Sequence, residues 1–137
     1  MKLFVTATPE KAIGGYEVAH IMHGGWDFSQ IPNDSQSDIV ALNAIDFVEY
    51  NHRKVFVSEL VSKLRRDAKL VIVGIEAYEL INSVRSRTKS IEEYNNIIGS
   101  VKSMGNAIDV ISVLRAEGLK IDSLQFKGEI YEITAGR

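Results

Sequence analysis

Lys69-Leu70-Val71-Ile72-Val73-Gly74-Ile75 is the stretch on which the fold turns. It is apolar without alternation. A strand of that kind is covered on both faces, as in a parallel sheet flanked by helices. The residues before it have a different period. Phe56, Leu60 and Leu64 recur every four residues with Val57 and Val61 beside them, which predicts a helix over 52–66. Leu3-Phe4-Val5, Tyr16 to Met22 and Asp38-Ile39-Val40-Ala41-Leu42 read as three earlier strands. Pro9, Gly14-Gly15, His23-Gly24-Gly25 and the Pro32-Asn33-Asp34 region punctuate them, and 26–37 has loop chemistry.

Downstream, residues 76–86 predict a helix with Tyr78, Ile81 and Val84 inward. Ser90-Ile91-Glu92-Glu93 is a capping box, and Gly99 can close the helix it opens. Asn106 or Ser103 starts another helix with Ile108, Ile111 and Leu114 on one face, and Gly118 suits the position just past its end. Leu119–Phe126 and Ile130–Thr134 flank Lys127-Gly128-Glu129 as a hairpin. The order β, β, β, α, β, α, α, α, β, β predicts an α/β fold. Its sheet is mostly parallel, with an antiparallel strand contributed by the C-terminal hairpin.

The 137 residues suit a single domain over 1–137, and 45% hydrophobic with 25% charged residues is ordinary for a globular chain. The absence of cysteine excludes a disulfide scaffold, a thiol nucleophile and Cys-based zinc or iron–sulfur sites. A net charge of −2 gives no polycationic signature, which argues against nucleic acid as a partner. The charge is uneven. Residues 1–50 carry two Lys/Arg against seven Asp/Glu, and residues 51–137 carry fourteen against eleven. An acidic first part and a basic helix are complementary, so a protein partner or self-association is expected, with charge steering the encounter. The apolar start, Met1 to Val5, is too short for a signal peptide or a membrane span. The expected location is cytoplasmic.

Three stretches together resemble the second half of a class I SAM-dependent methyltransferase. Asp38-Ile39-Val40-Ala41-Leu42-Asn43-Ala44-Ile45-Asp46-Phe47 is similar to the family's fourth strand and the turn that faces the substrate. Phe56 to Ile75 looks like the following helix, turn and fifth strand, with Leu64-Arg65-Arg66-Asp67-Ala68 where the family has Leu-Lys-Pro-Gly-Gly. Val113 to Ile121 and the hairpin are similar to the last helix, its Gly stop, the sixth strand and the reversed seventh. The likeness runs from about Asp38 to the C-terminus. It implies a three-layer, Rossmann-like sandwich, reduced in its N-terminal half.

The resemblance implies a site. The family binds the methionine end of SAM with a Gly-rich loop after its first strand, where the backbone approaches closely. Here that loop is Thr6-Ala7-Thr8-Pro9-Glu10-Lys11-Ala12-Ile13-Gly14-Gly15, with no G-x-G-x-G. Ten residues between the first two strands are fewer than a crossover helix needs. His20 or His23 stands near the place of the acidic residue that holds the ribose hydroxyls.

Three functions follow, the third a phosphate or nucleic-acid binder that uses the basic clusters. The first is a methyltransferase-like protein that has lost the SAM-binding loop and serves as a binding or assembly module; its compactness suggests a viral-type relative. The second is a minimal SAM-dependent methyltransferase, in which Thr6, Ala7, Thr8, Gly14, Gly15 and His20 line the cofactor. Asn43, Asp46 and Glu49 would then face the acceptor. Methyl transfer depends mainly on alignment, so a sparse catalytic set is compatible with it.

Three further features have competing readings. His20 and His23 lie three apart at a strand end, on opposite faces, so no metal site is expected. Trp26 and Phe28 either stack on a ligand or close the core. Arg53, Lys54, Lys63, Arg65, Arg66 and Lys69, with Arg85, Arg87 and Lys89, form either a phosphate-binding surface or an ordinary solvated face.

Overall fold

The computed structural model describes residues 1–8, 14–21 and 25–137. Among them six strands form one sheet: β1 (Lys2–Thr6), β2 (Glu17–His20), β3 (Gln36–Leu42), β4 (Leu64–Ile75), β5 (Lys120–Lys127) and β6 (Ile130–Gly136). Four helices accompany them: α1 (Arg53–Lys63), α2 (Ala77–Arg85), α3 (Ile91–Ser100) and α4 (Ala107–Ala116). The sheet order is β2-β1-β3-β4-β6-β5. β1 to β4 are mutually parallel, and β6 runs antiparallel between β4 and β5. This is the mostly parallel Rossmann-like sheet with an antiparallel hairpin that the sequence predicts.

The central strand is central for the reason its sequence suggests. Leu70 and Ile72 are fully buried, and their register neighbours Ile39 and Ala41 on β3 and Ala135 and Ile133 on β6 are buried with them. Leu3 and Val5 extend the same face onto β1. Phe56, Val57, Leu60 and Val61 of α1 and Val110, Ile111 and Leu114 of α4 pack in this same core. The Ser58 hydroxyl ties the two helices by donating to Glu117 at 2.7 Å. On the opposite face Val40, Leu42, Val71 and Thr134 are only half-buried. Among the described residues the helical cover is therefore uneven.

Some local expectations change. α1 ends at Lys63, and 64–68 joins β4 as an irregular stretch in which the register steps from Gln36–Leu64 to Asp38–Lys69. Asp67 takes φ 63° there, a left-handed conformation open to Asp. α2 is rolled relative to its predicted face: Leu80 is buried, while Tyr78 and Ile81 are exposed. Its N-terminus is held by Glu76, whose carboxylate accepts the Tyr78 amide. Ile108 in α4 is likewise exposed, and Ala107 and Val110 take the inward positions with Ile111 and Leu114. Asn106 is the cap of α4, accepting from the Asp109 amide at 2.9 Å, and Gly118 follows the helix with φ 87°. Ser90 and Glu93 form the expected capping box, and the Ser90 amide holds the Glu93 carboxyl below its usual range. β2 ends at His20, and Met22 lies outside the described residues.

Candidate functional site

Parallel strands of an open α/β sheet present their carboxyl ends to ligands. Here those ends are Thr6, His20, Leu42 and Ile75. Thr6 is fully buried. Its hydroxyl accepts from the Thr8 amide at 3.0 Å and lies 3.1 Å from the Thr8 hydroxyl. His20 Nε2 lies 3.0 Å from the Ala7 carbonyl, which can only accept, so this nitrogen carries the proton. Thr6, Ala7, Thr8 and His20 are thus brought together and bonded to one another. Residues 9–13 of the same loop lie outside the described residues.

The other expected site residues scatter. Gly14 and Gly15 precede β2, whose Glu17 pairs with Leu3, so they sit at the amino ends of the strands, across the sheet from Thr6. Gly15, at φ 83°, makes an exposed turn there. Asn43 follows β3 in a left-handed conformation with φ 55°, and its amide donates to Val73 at 2.9 Å. The Asn43 side-chain oxygen is buried without a hydrogen-bond partner. Glu49 is exposed and pairs with Lys102 at 3.7 Å.

Asp46 faces inward. It is fully buried, and its carboxylate oxygens accept the Ile75 amide at 3.3 and 3.1 Å. Arg53 Nη1 stands 3.9 Å away, and it donates to the Ile45 carbonyl at 3.3 Å and the Ser103 hydroxyl at 2.7 Å. The Asp46 carbonyl accepts the Lys102 and Ser103 amides, which straps the 101–106 segment over it. Burial pushes Asp46 up to about 7, against the pull of Arg53. Beside it Glu76, almost fully buried, accepts the amides of Tyr78 at 3.2 Å and Ala107 at 2.9 Å, joining α2 to α4. Burial, then the Asp46 carboxylate, pushes the Tyr131 phenol up.

Glu76, Ser103 and Tyr131 have no motif that marks them as one group in the sequence. Only Glu76 has a local signal, an acid between a strand and a helix start. Asp46 had been expected to face an acceptor. The structure instead makes it the centre of a closed internal network.

No protein-family model and no curated protein matches the chain in sequence. Solved structures do match in shape. A SAM-dependent methyltransferase from Archaeoglobus fulgidus superposes with TM-score 0.67 at 10% identity, over 99% of this chain and 86% of that one. One from Mesorhizobium loti gives 0.64 at 11% identity, over 98% and 79%. The magnesium protoporphyrin IX methyltransferase of Synechocystis PCC 6803, with bound SAH, gives 0.58 at 11% identity, over 89% and 50%. The fold is that of the class I SAM-dependent methyltransferases. Identity at this level establishes the methyltransferase fold alone.

Phe28 is buried against Phe56, with ring centres 5.9 Å apart, and Trp26 meets Phe56 edge-on at 5.2 Å. The Trp26 indole donates to Glu59. Both aromatics therefore close the core. The first basic cluster is dispersed: Arg53 is internal, Lys63 donates to Asn33 and Lys69 pairs with Asp122. Lys89 bridges Glu93 and Glu129. His23 lies outside the described residues, and among the described residues no three acidic or histidine side chains are grouped to hold a cation. Among them, too, no helix is long and apolar enough to cross a membrane.

Proposed function

We propose that this chain is a methyltransferase-fold protein whose cofactor loop has been lost, and that it works as a binding or assembly module. The observation that carries this reading is the self-bonded state of the β1 end. A SAM-binding loop has to offer free backbone donors at close approach. Here the Thr8 amide is taken by Thr6, and His20, in the place expected for an acid on the ribose, is turned onto the Ala7 carbonyl. A histidine donating through Nε2 does not replace a carboxylate that accepts from two hydroxyls. The sealed environment of Asp46 adds support, since a buried carboxylate with satisfied partners is not free to touch an acceptor.

The experiment is isothermal titration with SAM and with S-adenosylhomocysteine, alongside a thermal-shift scan. This reading expects no heat of binding and an unchanged melting temperature at millimolar ligand. Micromolar binding with a raised melting temperature overturns it. A second reading, a minimal SAM-dependent methyltransferase, is favoured by one feature. The Asn43 side-chain oxygen is buried and unpartnered at the carboxyl end of β3, where a ligand donor would satisfy it.

A further inference from the structure

α2 turns one side inward and the other to solvent. Leu80 is fully buried, with Ser83 and Val84 half-buried beside it. At about 3.6 residues per turn the opposite side carries Tyr78, Glu79, Asn82 and Arg85. All four are exposed, Tyr78 at 67%, and Ile81 on the flank is 46% exposed. Single exposed apolar side chains are ordinary. Here the charges beside them form a pattern.

Glu79 and Arg85 join no ion pair among the described residues. They do not meet along the helix, because helical neighbours are three or four residues apart and these two are six apart. Glu79 lies three residues before Asn82, and Arg85 three residues after it. An acid in the first turn and a base in the last suit the helix dipole, which accounts for their signs. It does not account for their equal spacing about Asn82 on the face that carries Tyr78.

That spacing is self-complementary. In a second α2 laid antiparallel across the first, with both Asn82 residues at the two-fold axis, Glu79 of each copy comes opposite Arg85 of the other. Each pair then lies about 4.5 Å along the helix from the axis. One symmetry operation makes the pair twice, as an isologous interface requires. Tyr78 comes opposite Ser86 in this arrangement, next to the same guanidinium, which can lie on its ring.

We infer that this face of α2 is where two copies of the chain meet, helix against helix, with Glu79 and Arg85 paired across the two-fold axis. The inference rests on the reading of the chain as an assembly module and names a second copy as the partner. One nine-residue helix from each copy is a small contact, so the dimer is weak and salt-sensitive.

The test is sedimentation equilibrium of the chain from micromolar to millimolar concentration at low salt. The wild type should pass from monomer to dimer over that range. Arg85→Glu sets acid against acid and Glu79→Arg sets base against base, and each should weaken association by roughly tenfold. Mixed in equal amounts, the two variants restore both pairs, and a heterodimer should form about as readily as the wild-type dimer. Tyr78→Ala leaves every charge in place and should weaken the dimer by roughly threefold. A wild type that stays monomeric, a dimer indifferent to both charge reversals, or a mixture that associates no better than its components overturns the inference. A monomer that binds no SAM would overturn the second copy alone and leave the assembly reading; a monomer that binds SAM would overturn both.

Discussion

The middle of this sheet and its β2 edge are built differently. From β3 onward the chain keeps a deep core: Phe56, Leu60, Leu70, Ile72, Leu114, Tyr131 and Ile133 are essentially inaccessible. At that edge β2 is four residues long, and its Glu17, Val18 and His20 are exposed. The first region carries what a methyltransferase fold needs to stand. The second is where such a fold would hold its cofactor, and here it is short and bonded to itself. Packing and ligand binding are separate demands on a fold.

The sharpest way to break that contrast is to cut into each region in turn. Phe56→Ala removes a fully buried ring that also seats Trp26 and Phe28, and should cost about 3–5 kcal/mol. Val18→Ala on β2 should cost about 0.5 kcal/mol or less. Urea unfolding of both variants checks the pair, and comparable losses would remove the distinction.

Next in size is the proton linkage of Asp46. Its ordinary value is 3.8, and the folded value is about 7 because the group is buried. Between those values the folded protein keeps a proton that the unfolded chain has released. Stability should therefore fall as pH rises through that window, by on the order of a few kcal/mol. Asp46→Asn should flatten the slope, which urea unfolding across the same pH range measures. A slope that survives the substitution would place the linkage elsewhere.

A smaller effect sits where β4 meets β6. A β-carbon at Gly74 would fall 2.5 Å from the Tyr131 hydroxyl oxygen and 3.1 Å from an Ile45 methyl, so Gly74→Ala should cost about 1–3 kcal/mol. Tyr131→Phe alone should be nearly neutral, because that hydroxyl has no partner. The double variant should recover part of the Gly74→Ala loss, and simple additivity in thermal melts would refute the contact. Smallest is Ser90→Ala. It removes the cap of α3, a helix with no fully buried residue, and should cost about 1 kcal/mol or less. Hydrogen exchange should show the loosening confined to α3.

Much of this was legible in order along the chain. The 69–75 run, the 3.6-residue pattern of α1, the Ser90 box, Gly118 and the hairpin around Gly128 each announce their element through neighbours a few residues away. The absence of a G-x-G-x-G run after β1 was legible for the same reason, since glycines at fixed spacing are either present or absent. Asp46 and Arg53 were not legible. One read as a site acid and the other as part of a basic surface, and their burial depends on Ile75 and Ser103, which come from two later segments. The hydropathy of α2 and α4 did not reveal that Tyr78, Ile81 and Ile108 face outward, nor that Glu76 caps both helices.

By itself, then, the sequence determined the elements, their order and the missing glycines, because propensity, periodicity and turn chemistry act over a few residues. Only the tertiary structure decided which charges lie inside and which helix face turns inward. Burying a charge is tolerable only when partners distant in the chain converge on it, and no local pattern records that convergence.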